Sequence, residues 1–432
     1  MKKYLFLLTV LLLMAAGQSC SSDEEKDNVE PVPVEEKEVI ETPFNPNLSV
    51  VIPLTSNEKN MVSNLNQFSF DFFVRCCLFK GELLTDSTSM MSPLSLAYAM
   101  GMMQAGAKGQ TRDEIVTSMY LPAFKAEDIN AFFAKMTEWL PQVDTTATLK
   151  VANALFINSD LDLKLRDEYV GPMEKDYNAF ITGIPYSDPA SVDVVNRWCS
   201  ENTDGLIPSI INHLNRNDIL HILNAIYLSA EWKTPFKEEL TTMMPFWGED
   251  KGCTVPMMHQ LSPMGYASHD TYDAISMPLK GENLRFVVLL PHEKIEDLIL
   301  ELTNNRMKEA LTFKAMHNVN LSLPSFEQEA THDLVAELKK AGVTAAFNPA
   351  QADFTTMTEQ RDVFVSSVLQ KTAISVKESG VKAAAVTDVS FGDTSDNSHQ
   401  EYKEFNANHS FIYCITEQST GLILFIGCYA GD

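Results

Sequence analysis

Apolar residues recur at Met61, Leu65, Phe68, Phe72, Cys76 and Phe79, every three or four positions, the spacing of one buried helix face. Thr55 followed by Glu58 predicts a capping box at the start of that helix. Ser92-Pro93 offers a cap with proline at the first helical position and predicts a helix through residues 94–103. Thr111 with Glu114 predicts a further helix start of the capping-box kind, and residues 126–140 read as a helix with Trp139 near its end. The period then changes. Residues 149–157 and 219–228 are apolar, β-leaning runs, and 286–290 is a buried run closed by Pro291. Val319, Leu321 and Leu323 alternate with polar residues up to Pro324, the pattern of a half-buried strand. Residues 363–376 predict an unusually long extended stretch, and 411–416 with 422–429 a terminal hairpin. Helices early and strands late predict an α+β fold with large antiparallel sheets rather than alternating βαβ units.

The first twenty residues do not belong to that fold. Lys2 and Lys3 precede a short apolar run that leads through small residues to Cys20, which reads as a secretory signal rather than a membrane span. Cys20 in this position resembles the lipidated cysteine of bacterial lipoproteins, although Gly17 stands where that family usually has a bulky aliphatic residue; an ordinary signal with an incidental cysteine fits the same pattern. The following residues 21–25 (SSDEE) resemble the acidic tag of surface lipoproteins in Bacteroidota-type bacteria. Residues 20–47 carry nine acidic residues, two lysines and four prolines, a composition that predicts an extended, self-repelling linker. The expected organisation is a signal over 1–19, a lipidated Cys20 with linker over 20–47, and a body over 48–432, placed at the cell surface as an outer-membrane lipoprotein.

The chain of 432 residues has a formal charge of −25, of which the body alone carries −20. That balance argues against nucleic-acid binding, which needs cations to replace phosphate counterions. The cysteines of the body, Cys76, Cys77, Cys199, Cys253, Cys414 and Cys428, are too sparse for a disulfide scaffold and lack C-x-x-C spacing. They are expected to be free, buried thiols, with neither zinc nor redox chemistry. H-E-x-x-H and G-x-S-x-G do not occur. Residues 101–108 only approximate a phosphate loop, because Ala107 follows Gly106 and Lys108 comes one place late. No cofactor and no enzymatic activity are expected.

The segment 378–402 carries the most information. Val381, Ala383, Ala385, Thr387, Val389 and Phe391 alternate with a more polar set, as in a strand with one buried face. This pattern runs into 392–398 (GDTSDNS), the composition of an exposed loop tip. Ser379-Gly380 is a natural bend after the long strand before it, and Ala383, Ala384 and Ala385 are small enough to slide between packed strands. A plain strand and loop in a hairpin fits the same pattern.

Nearly the whole body resembles the serpin family. The matching stretches are 91–96 (MSPLSL), 106–111 (GAKGQT), 152–156 (ANALF), 195–198 (VNRW), 203–208 (TDGLIP), 223–227 (LNAIY), 232–236 (WKTPF), 255–259 (VPMMH), 321–326 (LSLPSF), 352–354 (ADF) and 378–385 (ESGVKAAA). The resemblance implies one domain of three β-sheets with about nine helices and an exposed reactive loop towards the C-terminus. It also implies a single-use serine protease inhibitor acting as a suicide substrate: the loop is cut, then inserts into a sheet and drags the acylated protease with it. Glu378, Gly380, Val381, Lys382, Ala383, Ala384 and Ala385 match the hinge. Ser92, Ser95 and Asn224 match the polar cluster beneath the opening sheet, Gln370 stands where that cluster usually has a histidine, and Trp232 matches the aromatic residue where insertion begins. The hinge departs from the family at Val381, usually a small hydroxyl residue, and at Lys382, usually an acid; Ser229-Ala230 replaces the usual Lys-Gly.

Family spacing from Gly380 places the scissile bond at Thr394-Ser395, with Phe391-Gly392 and His399-Gln400 as alternatives. No Arg or Lys lies between Ala383 and Tyr402, so a trypsin-like target, whose pocket needs a cation, is disfavoured. An elastase-like serine protease is expected, with a chymotrypsin-like one second and a cysteine protease as an alternative. Heparin activation is not expected, since residues 121–147 hold only Lys125 and Lys135 as cations. A monomer is expected. The competing function is a non-inhibitory surface binding protein that keeps the fold.

Overall fold

The computed structural model describes residues 48–80, 83–84, 88–248, 252–303, 306–381 and 402–431. Helices are α1 (Ser56–Phe73), α2 (Pro93–Gly106), α3 (Gly109–Ser118), α4 (Ala126–Trp139), α5 (Asp167–Asp176), α6 (Ser191–Asn202), α7 (Ile295–Leu302), α8 (Met307–Ala310) and α9 (Val335–Lys340). Strands, also in chain order, are β1 (Phe79–Lys80), β2 (Leu83–Leu84), β3 (Ser89–Met91), β4 (Thr148–Asn158), β5 (Ala179–Ile184), β6 (Leu220–Glu231), β7 (Thr242–Trp247), β8 (Gly252–Ser268), β9 (Tyr272–Pro278), β10 (Leu284–Pro291), β11 (Met316–Pro324), β12 (Phe326–Asp333), β13 (Ser367–Lys377), β14 (Gly380–Val381), β15 (Lys403–Asn406), β16 (Phe411–Glu417) and β17 (Ile423–Tyr429).

The strands form an α+β architecture of a six-stranded sheet, order β12-β13-β14-β6-β4-β5, a nine-stranded sheet, order β15-β11-β8-β9-β10-β16-β17-β3 with β7 also on β8, and the ribbon β1-β2. The 17-residue β8 is what makes the large sheet: its first half pairs with β7, its last residues with β9, and β11 runs along the stretch between.

Local chemistry explains the helices that matter here. The Thr55 hydroxyl accepts from the Glu58 amide, and the Glu58 carboxylate accepts from the Thr55 amide at 2.7 Å, closing the predicted capping box on α1. Ser92 caps α2 by accepting from the Ser95 amide at 3.2 Å. Almost every residue of α2 is buried, so it has no solvent face and threads the core, where it packs against β6 and β17. The period of β6 sorts its side chains between two cores. Leu220, Ile222, Ile226 and Leu228 face the main core, whereas Leu223 and Ala225 join Val195 and Trp198 of α6 in a second cluster on the other side.

Three expectations need correction. Thr111 and Glu114 do not start a helix together. Helix α3 begins at Gly109, whose φ of +50° suits glycine. Glu114 instead accepts from the Thr344 and Ala345 amides at 2.7 Å, and Thr111 from the Asp353 amide at 3.0 Å; tertiary donors won both acceptors. The extended run expected from 363 becomes a strand only at Ser367, where β6 first offers a ladder partner; β12 joins at Leu369. Cys199, Cys414 and Cys428 are buried and in no disulfide, but Cys76 and Cys253, also outside any disulfide, are only half-buried.

Candidate functional site: a split sheet with a short strand wedged at its top

Strands β6 and β13 are neighbours along only part of their length. They pair in parallel from Ser367↔His221 up to Lys371↔Ala225. Above that pair the ladder stops. At the top of the sheet β14 stands between them, antiparallel to both: Val381 pairs with Val376 and with Ala230, and Gly380 with Lys377 and with Glu231. Between these two zones the facing edges of residues 226–229 and 372–375 carry no ladder to each other among the described residues. The sheet is closed below, wedged above and open in the middle.

Gly380 is required by the wedge. A Cβ there would stand 2.2 Å from the Ala230 carbonyl oxygen and 2.7 Å from Glu231 Cα, backbone atoms that cannot yield. Val381 is buried beside Val376. The approach to the wedge is fixed by hydrogen bonds. The Trp232 amide donates to the Ser379 carbonyl at 3.0 Å and the Phe236 amide to the Glu378 carbonyl at 2.9 Å. Trp232 Nε1 donates to the Lys377 carbonyl at 2.8 Å, and the Thr241 hydroxyl donates to the Glu378 carboxylate at 2.7 Å. The indole of Trp232 is fully buried, edge-on to Phe236 and Phe286.

The lower zone is held by buried polar side chains. Gln370 Nε2 donates to the Ser92 carbonyl at 2.7 Å and to the Ser95 hydroxyl at 3.0 Å, and its Oε1 accepts from the Ser92 amide at 3.0 Å. Ser92 Oγ donates to the Leu424 carbonyl at 2.7 Å. Ser95 Oγ donates to Asn224 Oδ1, Asn224 Nδ2 donates to Asn153 Oδ1, and Asn153 Nδ2 donates to the Tyr177 carbonyl. Asn224 and Gln370 are partners in the β6–β13 ladder, so the cluster straddles the line between the two strands. Buried amides are tolerated there because each finds partners.

Ser92, Ser95, Asn224 and Gln370 thus meet in one cluster, Trp232 lies at the wedge, and Glu378, Gly380 and Val381 form the wedge and its approach. Lys382, Ala383, Ala384, Ala385, Thr394 and Ser395, the alternatives Phe391, Gly392, His399 and Gln400, and Cys20 lie outside the described residues. Two members escaped the sequence reading. Asn153 completes the cluster; its signal is an amide in an apolar strand, here directly across the β4–β6 ladder from Asn224. His332 is opposite Gln370 in the β12–β13 ladder and its Nε2 meets the Met90 carbonyl at 2.7 Å. Burial depresses the pKa of His332, and the bond to Met90 opposes that shift.

Residues 63–430 match the family model described as Serpin (serine protease inhibitor). An uncharacterized serpin-like protein of Thermococcus kodakarensis is 28% identical over 430 residues, covering 99% of this chain and 98% of the relative. Human leukocyte elastase inhibitor is 30% identical over 359 residues, covering 79% of this chain and 92% of that protein. Among solved structures, that of the thermophilic serpin tengpin in the native state superposes with a TM-score of 0.78 at 25% identity, covering 89% of this chain and 97% of that one.

Proposed function

The chain belongs to the serpin family, and from that membership we propose that it is a single-use inhibitor of an elastase-like serine protease, tethered to the cell surface through Cys20. The observation that carries the reading is the wedge of Gly380 and Val381 above an open ladder. Its register projects the rest of the segment. Continuing the two antiparallel pairings of Val381 downwards sets Ala383 between Ile374 and Leu228, Ala385 between Thr372 and Ile226, Thr387 between Gln370 and Asn224, and Val389 between Val368 and Ile222. All eight of these flanking side chains are buried, and the residues projected onto them are small, apolar or, at the polar cluster, a hydroxyl.

The proposed chemistry starts at the Thr394-Ser395 bond. The protease serine attacks the Thr394 carbonyl, the amine of Ser395 leaves, and Thr394 remains as an acyl-enzyme. The freed end then zips into the slot, parting the five lower β6–β13 pairs as it descends. From Val381 to Thr394 the extended chain covers roughly 40 Å at about 3.3 Å per residue, enough to carry the protease across the length of the sheet. The absence of Arg and Lys from the loop tip and the small side chain of Thr394 support an elastase-like target, as does the name of the human relative.

The test is incubation with elastase, chymotrypsin and trypsin. A detergent-stable complex with elastase is expected, with a released peptide whose mass begins at Ser395. A complex with trypsin alone would overturn the reading of the tip. Cleavage without a rise in melting temperature would overturn insertion itself and leave a binding protein that keeps the fold.

A further inference from the structure

Helix α6 packs on one face of the six-stranded sheet, and a cleft of about 530 Å³ opens beside it. That volume is within the range of small-molecule sites. Strand β5 runs along β4 only from Asn153↔Ala179 onwards, and the cleft sits at the corner where this pairing begins. Ala152 and Ala179 form its floor, and their small side chains leave the room. Phe180 and Trp198 form its walls. Each meets Phe156 edge-on with ring centroids 6.0 Å apart, which fixes both rings. Phe180 is nevertheless 46% exposed, so its ring is open to a guest.

The helix presents Val194, Arg197, Trp198 and Glu201 to this cleft, residues spaced three and four apart along one face. Arg197 and Glu201 stand one turn apart, where Cβ atoms are about 5–6 Å from each other. Among the described residues their side chains make no hydrogen bond or ion pair, either to one another or to a third group. Just past this stripe Asp204 is paired with Lys150 of β4 at 2.7 Å, so the charges of the cleft differ from those beside it. The lining therefore offers one cation and one anion next to two aromatic rings. A singly charged guest would leave one of them unmatched, and a neutral guest both. A head carrying a carboxylate and an ammonium on one carbon satisfies the two together.

We propose that this cleft binds an aromatic α-amino acid, its carboxylate on Arg197, its ammonium on Glu201 and its ring between Phe180 and Trp198. Because such a guest touches α6 on one side and β4 and β5 on the other, it also braces the helix against the sheet. The proposal needs only the folded, uncut chain and is independent of inhibitory activity.

Calorimetry of the full chain with L-phenylalanine, 3-phenylpropanoate, 2-phenylethylamine, N-acetyl-L-phenylalaninamide and L-alanine separates the two charges from the ring. L-Phenylalanine should bind one to one, at least about tenfold tighter than each of the others, a difference of about 1.4 kcal/mol. Arg197→Gln should weaken L-phenylalanine about tenfold and leave 2-phenylethylamine, which has no carboxylate, unchanged. Glu201→Gln should weaken L-phenylalanine by a similar factor and leave 3-phenylpropanoate, which has no ammonium, unchanged. Both residues are exposed, so neither change touches the core. Hydrogen exchange along α6 should slow when L-phenylalanine is added. Equal affinity for L-phenylalanine and either its doubly neutral derivative or L-alanine, affinity unchanged in both variants, or no binding at millimolar concentration would overturn the site. Unchanged exchange along α6 with L-phenylalanine bound would overturn the bracing.

Discussion

Glutamate at position 385 tests the projected register more sharply than any loss of function. Once the loop is cut, Ala385 is expected between Thr372 and Ile226, both fully buried. A carboxyl with an ordinary pKa near 4.3 can enter such a place only by taking a proton, which at pH 7 costs about 3.7 kcal/mol at 1.36 kcal/mol per unit. Unfolding entropy of roughly 2.1 cal/mol/K per residue converts that cost into a fall of about 5 °C in the melting temperature of the cut body. Lys382→Glu is the control. Its projected neighbours, Ser375 and Ser229, are half-buried, and a charge there should change melting by about 1 °C or less. The assay is calorimetry of cut protein at one scan rate, at pH 7 and pH 5. At pH 5 the proton costs only about 1 kcal/mol, so most of the Ala385→Glu deficit should disappear. Equal losses in the two variants, or a deficit that does not shrink at pH 5, would refute the register.

Gly380→Ala should expel the wedge from the uncut protein, because its Cβ meets the Ala230 carbonyl oxygen at 2.2 Å; exchange at the Val381 amide should accelerate, and unchanged exchange would contradict the close approach. Asn224→Ala strips partners from the Ser95 hydroxyl and from Asn153 Oδ1. It should cost about 2–4 kcal/mol in urea unfolding, and a loss below about 1 kcal/mol would mean that water replaces the amide. The depressed pKa of His332, caused first by burial, makes the folded state bind fewer protons than the unfolded one. Its contribution is therefore complete above about pH 6.5 and is lost as pH falls from there towards the folded value. His332→Gln should flatten stability across that window, and a slope unchanged by the substitution would assign it to other groups.

Legibility followed the range of the interactions. The capping box of α1, the cap of α2, the core strands and the terminal hairpin rest on neighbours a few positions apart, and pattern alone located them. Glu114 was misread because its carboxylate has a choice of donors: the local box is available in sequence, but the Thr344 and Ala345 amides lie closer in the fold. Asn224 entered by resemblance, and Asn153, likewise an amide in an apolar strand, becomes a candidate only once the β4–β6 register sets it directly across from Asn224. The wedge was not legible from pattern. Ser379-Gly380 reads as a bend in either a hairpin or a partly inserted strand, and only the pairing of Val381 on both sides distinguishes them. Resemblance supplied the hinge, the cluster and Trp232; pairing and hydrogen bonds now give each a physical task.

Those tasks imply where the barrier to insertion lies. The upper edges of β6 and β13 already stand apart, so the first inserted residues need break no ladder pair. Descent then meets Lys371↔Ala225 and, directly below it, Gln370↔Asn224. Passing that point means separating two strands that are each fastened by side chains to the start of α2, Gln370 to Ser92 and Ser95, and Asn224 to Ser95. On the proposed mechanism this fastening has two opposed effects. It keeps the uncut chain from swallowing its own loop, which is a kinetic rather than an equilibrium protection. It also delays the cut loop while the acyl-enzyme is free to hydrolyse. Thr387, projected between Gln370 and Asn224, resolves part of the conflict: its hydroxyl can donate and accept as the amides part, so the barrier is lowered only once the loop is present. A Thr387→Val loop, the same shape without the hydroxyl, should therefore cut normally yet insert more slowly, raising the number of inhibitor molecules consumed per protease trapped. An unchanged ratio would place the slow step elsewhere in the descent.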